Sequence, residues 1–170
     1  MGPQGRVASW RYRVSTESIY FIDGVMGACE QELSTEVGDF VIRRADNLFA
    51  YQLAVMVDDA AMGITDVVRG SDLLDSTARQ ITLFRSFGLD EPRFHHVPLM
   101  LDDDGNRMAK RDGSKSLQQL KDEGFSAPQV IGQLAASLQL VPPGSSCTPQ
   151  ELVDALTLQQ FEQALVLAQN

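Results

Sequence analysis

Residues 105–116 read GNRMAKRDGSKS, and Arg107, Lys110, Arg111 and Lys115 fall within nine of them. The chain carries a formal net charge of −9, so a glycine-bounded loop holding four cations is a local exception. Sequence-blind binding to nucleic acid comes mostly from cations meeting phosphates, and the acidic balance argues against it for the chain as a whole. It leaves room for a local phosphate-facing patch, for which this loop is the best candidate. A solvated basic turn beside Asp102-Asp103-Asp104 would have the same composition.

Other residues could also do chemistry. His95 and His96 are adjacent, and neighbours on a strand point to opposite faces, so the pair would not converge on one metal ion. Asp58-Asp59 has the look of an acidic metal or acid–base pair. Taken alone, Arg69 at the end of a β-branched run reads as a strand-end surface cation, and Tyr51 as an amphipathic core aromatic. Cys29 and Cys147 lie far apart without metal-ligand spacing and read as reduced structural thiols of a cytosolic protein.

The elements that must position these groups are legible in outline. Residues 11–14 alternate like a strand, 19–27 read as a strand and turn, and Phe40-Val41-Ile42-Arg43 as a second strand. Phe49, Leu53, Met56 and Val57 lie at helical spacing, in a helix stopped by Gly63. Residues 64–70 form a short strand. The clearest helix covers 71–88, capped by Asp75 or Ser76, with Ile81, Phe84 and Phe87 on one face and Gly88 closing it. Another strand runs from Phe94 to Leu101. Beyond the basic loop four helical segments follow, one opened by Thr148-Pro149 with Glu151 in its first turn. No apolar run approaches the roughly 18 residues needed to span a membrane. The order predicts an α/β fold with an α-helical appendage at 116–170.

The string FAYQLAVMVDDAAMGITDVVRGSDLLDSTARQITLFRSFG, followed by FHHVPLMLDDDGNRMAKRDGSKSL, resembles the second half of the catalytic core of class I glutamyl-tRNA synthetases. Its short branch, the glutamyl-Q tRNA(Asp) synthetases, is the nearer likeness. The resemblance implies a Rossmann-like nucleotide-binding half-core at 36–115, the end of an inserted acceptor-binding region at 1–35, and a helical region at 116–170. It implies ATP-dependent activation of glutamate and transfer to queuosine in tRNA(Asp), in the cytoplasm.

Residue by residue, it implies that Lys110 and Arg107 stand at the two lysine positions of the signature loop. There they would stabilise charge on the phosphates as pyrophosphate leaves. Ala109 departs from the usual serine. Met108, Lys110 and His96 would line the ATP site, Tyr51 and Arg69 the glutamate pocket, and Asp58-Asp59 would be structural. ATP is then a substrate, with Mg2+ expected beside it, whereas the family's cysteine-rich zinc insertion and His-Ile-Gly-His-type signature have no counterpart here. The chain therefore reads as about half a core, expected to be inactive alone, with the missing half or a second copy as possible partners. A non-catalytic tRNA-, nucleotide- or protein-binding module and a fragment of a tRNA(Glu)-charging enzyme are the alternatives.

Overall fold

The computed structural model describes residues 8–99 and 116–167. They fall into two compact units, one ending at His96 and one starting at Val97. In the first, β1 (Trp10–Tyr12) pairs antiparallel with β4 (Phe40–Arg43), joining residues on either side of the boundary expected at 35–36. β2 (Ile19–Asp23) and β3 (Gly27–Gln31) form an antiparallel hairpin. β3 had no expectation behind it, because glycine, cysteine and two polar residues give GACEQ no alternating apolar signal. A short helix, α1 (Leu33–Glu36), buries Leu33 and leads to β4.

β5 (Asp66–Gly70) and β6 (Arg93–Val97) form the third ribbon. Arg93 N donates to Thr65 O at the start of both strands, and Arg69 meets His96 towards their ends, so the two run parallel. α3 (Leu74–Phe87) is their crossover, giving one βαβ unit. Among the described residues this is the extent of the parallel sheet expected from the sequence; the other two ribbons are antiparallel.

α3 organises the unit. Ala78 and Ile81 pack with Ile19, Leu33 and Phe94, while Leu83 and Phe84 pack with Phe40 and Met56. Burying such side chains stabilises by about 1.5–3 kcal/mol each, so α3 cannot shift without loosening both clusters. Its start corrects the expected cap. A 3-10 turn (Ser71–Leu73) precedes it, Leu73 occupies the N-cap without a side-chain bond, and Ser76 lies buried inside. Phe87 is largely exposed, so Ile81 and Phe84 make the buried face without it. α2 (Tyr51–Met62) buries Met56 and packs Leu53, whereas Phe49 precedes the helix and Val57 faces solvent. Gly63 and Gly88 close α2 and α3 in the left-handed conformation, as their sequence positions predict.

The second unit holds α4 (Leu117–Asp122), α5 (Ala127–Ser137), α6 (Pro149–Ala155) and α7 (Leu158–Leu167). Ser116, Ser126 and Thr148 each close a reciprocal capping box, with Gln119, Gln129 and Glu151 respectively. Of these caps, the one at Thr148 was legible in the sequence. α5, α6 and α7 wall an apolar groove of about 520 Å³.

Gly132 sits in α5 where a Cβ would lie 1.9 Å from the carbonyl oxygen of Ser145. Helix propensity alone favours alanine over glycine by about 1 kcal/mol. The backbone clash decides the sign here: Gly132→Ala lowers the melting temperature of the helical unit in calorimetry, whereas a gain would contradict this packing.

Candidate functional site

Asp23 ends β2, and its carboxylate closes the turn into β3 by accepting from the backbone N–H of Val25 and Met26 at 3.0 and 2.9 Å. The same oxygen, Oδ1, accepts from His96 N at 3.1 Å. Oδ2 lies 2.6 Å from His96 Nδ1. Gly24 N donates to Phe94 O, tying the hairpin turn to β6. A Cβ on Gly24 would fall 2.1 Å from His95 Nδ1, so a side chain here would have to displace the His95 ring. The two histidines do face opposite ways: His96 is 0 % exposed, while His95 turns to Asp66 at 3.2 Å.

On its other side, His96 meets Arg69. Arg69 Nε donates to His96 Nε2 at 2.9 Å, a terminal nitrogen donates to Gln80 Oε1 at 2.8 Å, and the other to Thr77 Oγ1 at 2.8 Å. Thr77 and Gln80 stand three residues apart on α3, which places both on its β5-facing side. Phe94 lies under the guanidinium, 5.2 Å from ring centroid to the guanidinium carbon.

This geometry fixes a protonation state. An arginine Nε–H only donates, so His96 Nε2 carries the lone pair and Nδ1 the proton, which it donates to Asp23. Burial holds His96 below its ordinary value, against the pull of Asp23. For Asp23, burial acts to raise the pKa, but hydrogen bonds from Met26, His96 and Val25 outweigh it and hold the carboxyl below its usual value. A carboxylate and a guanidinium thus balance each other through a neutral imidazole. Burial also lowers the Arg69 pKa, opposed by the fields of Tyr51, Asp23 and Asp59. Tyr51, at the start of α2, is also a hydrogen-bonding neighbour of the guanidinium, and Asp59 on the same helix contributes to its field. Burial raises the pKa of Asp59, Arg69 lowers it and Asp58 raises it.

Three of the five guanidinium N–H groups are engaged by His96, Gln80 and Thr77, and the Tyr51 hydroxyl is a further hydrogen-bonding neighbour of the group. Tyr51 is 55 % exposed, so this end opens to solvent. Such an arrangement can receive a carboxylate in a fixed orientation. Among the described residues, Gln80 Nε2 is a further buried donor without a partner.

Of the residues singled out in the sequence, Tyr51, Arg69 and His96 come together here. Both ring nitrogens of His96 are engaged, so it offers no free hydrogen-bonding atom to a nucleotide. Arg107, Met108 and Lys110 lie outside the described residues. Asp23, Thr77 and Gln80 were not anticipated; the spacing of Thr77 and Gln80 on α3 was the one available hint. Among the described residues no cluster of histidine, cysteine, aspartate and glutamate could hold a metal ion.

Residues 2–151 match the family model of tRNA synthetases class I (E and Q), catalytic domain. The chain belongs to this family. A glutamyl-Q tRNA(Asp) synthetase of Symbiobacterium thermophilum is 44% identical over 154 residues, covering 91% of this chain and 47% of the relative. Another, of Ectopseudomonas mendocina, is 57% identical over 103 residues, covering 61% of this chain and 35% of the relative. The chain therefore spans about half the length, or less, of these relatives. A glutamate tRNA ligase from Elizabethkingia meningosepticum, solved in complex with its amino acid, shares the fold with a TM-score of 0.69 at 22% identity. That alignment covers 88% of this chain and 34% of the ligase. The class I synthetase fold expected from the sequence is thereby shown.

Acid should act on the Asp23–His96 pair twice. Below about pH 6.5 the unfolded chain protonates His96 while the folded one does not, so stability falls; it falls again below about 3.8 as unfolded Asp23 takes up its proton. Nitrogen-15 spectra of the two imidazoles check the origin. His96 is expected to stay neutral with its proton on Nδ1 well below pH 6.5, and an Nε2–H form would contradict the network.

Proposed function

We propose that this chain forms the part of a glutamyl-Q tRNA(Asp) synthetase core that receives the glutamate side chain and handles ATP. The enzyme would activate glutamate with ATP and transfer it to queuosine in tRNA(Asp). The observation that carries the reading is Arg69, whose guanidinium N–H donors are held in one orientation by His96, Gln80 and Thr77 with the half-exposed Tyr51 beside them. A bidentate carboxylate fits those donors, whereas the neutral amide of glutamine would leave one of them opposed. Tyr51 adds a hydroxyl at the open edge, and Asp23 and His96 position Arg69 without touching substrate.

Lys110 and Arg107, with Met108, are assigned to the ATP side on their place in the signature loop. There the two cations would offset charge growing on the phosphates as pyrophosphate leaves. Mg2+ would accompany ATP as its counter-ion and shield the same oxygens. The names of the relatives, rather than any feature of the pocket, favour tRNA(Asp) over tRNA(Glu) as the acceptor.

Glutamate-dependent ATP–pyrophosphate exchange tests this, run on the chain joined to the part of a relative that it does not cover. Arg69→Ala is expected to raise KM for glutamate by roughly 10- to 100-fold, from the loss of a charged hydrogen-bonded pair. Lys110→Ala is expected to lower kcat by about a hundredfold with KM little changed. No exchange with glutamate in the folded, joined protein, or equal use of glutamine, would overturn the reading.

A further inference from the structure

The outer face of the β1–β4 ribbon carries a group of side chains that the amino-acid pocket does not use. Trp10 pairs with Arg43, but Arg11 pairs with Val41, so β4 has an extra residue at this step. Such a bulge re-aims side chains. Here it seats the Arg43 guanidinium 5.4 Å from the Trp10 ring centroid. A backbone bridge between Arg43 and Phe49 brings the Phe49 ring to 5.9 Å from the same guanidinium. Trp10 is 60 % and Phe49 63 % exposed.

The charges around this stack are unbalanced. Among the described residues no carboxylate pairs with Arg43 or Arg13, and Arg43 Nε is buried without a partner. Arg11 gives one N–H to the carbonyl of Asp39, which neutralises no charge. Arg44 alone has an acid, Asp46, at 2.7 Å. Arg11 and Arg43 thus stand on the two paired strands, with Arg13 and Arg44 immediately after them, in a chain whose net charge is −9. Arginine between open aromatic faces suits a partner with flat π-surfaces and anions at regular spacing, and single-stranded nucleic acid combines the two.

We infer that this face is a stacking platform for unpaired nucleotides of an RNA, with bases on Trp10 and Phe49 and phosphates on Arg11, Arg13 and Arg43. The choice of RNA rests on the proposed tRNA substrate; the platform is read from its own residues. Stacking on aromatic rings tolerates any base, so the site would hold and orient a loop rather than read its sequence.

Trp10 is the chain's single tryptophan, so its emission reports this face alone. The full chain is titrated with an RNA stem-loop, a single strand and a blunt duplex, without glutamate or ATP. The expected result is saturable quenching by stem-loop and single strand, little by duplex, and weakening as salt rises. Arg43→Ala and Phe49→Ala should each weaken binding about tenfold with the circular dichroism unchanged. Unchanged emission would overturn the proposal, whether anisotropy shows RNA bound elsewhere or not at all. So would duplex binding as tight as single strand. Quenching together with failed glutamate exchange would keep the platform and sink the synthetase reading, so the two failures are distinguishable.

Discussion

A buried neutral imidazole between a carboxylate and a guanidinium is the constraint on which this unit depends. Removing the Arg69 charge would leave the Asp23 carboxylate unbalanced in a buried environment, a loss of about 3–5 kcal/mol for buried pairs. His96 can bridge them in one tautomer only, because Arg69 Nε cannot accept and Asp23 Oδ2 cannot donate while ionised. The bridge sets more than electrostatics. It joins the β2–β3 turn through Asp23, β5 through Arg69 and the end of β6 through His96, and α3 supplies Thr77 and Gln80. The placement of three strands and a helix is thus written into one set of hydrogen bonds. The amino-acid pocket is the open end of that set.

How much could be read from the sequence divides along physical lines. Helices were visible because their signals are local: the helical spacing of apolar residues, the cap at Thr148, and the closing Gly63 and Gly88. α3 was the clearest of them, yet its cap was misassigned. Ser76 has the right side chain for capping but is buried against Gln52 and Arg79 instead. β3 was silent because its side chains face a half-buried environment with no apolar alternation to betray it. Family resemblance named Tyr51 and Arg69 for the glutamate pocket and His96 for the ATP site. Their grouping depends on pairings across 27 residues, from Arg69 to His96, and 73, from Asp23 to His96, which no local pattern encodes. Asp23 reads in sequence as an ordinary turn aspartate. Only the fold shows that the carboxylate closing the turn also holds the histidine.

The same contrast explains the cationic face. Arg11, Arg13, Arg43 and Arg44 are scattered in the sequence and lost in an acidic total. The β1–β4 register brings these two stretches side by side, and its bulge seats Arg43 between Trp10 and Phe49. The basic loop at 105–116, by contrast, is contiguous and was noticed first. Local clustering is what a sequence displays, and long-range pairing is what it hides.

The measurement that bears most directly on the central claim is equilibrium binding of L-glutamate to the Asp23→Asn protein beside the unchanged one. The amide would present N–H to His96 Nδ1 and force the ring proton to Nε2, where it opposes Arg69 Nε–H. If the network holds Arg69 for a carboxylate, glutamate affinity falls at least about tenfold in a protein that stays folded by circular dichroism. In the same protein, nitrogen-15 spectra show the His96 proton on Nε2. Glutamate binding in Asp23→Asn as tight as in the unchanged protein would contradict the account.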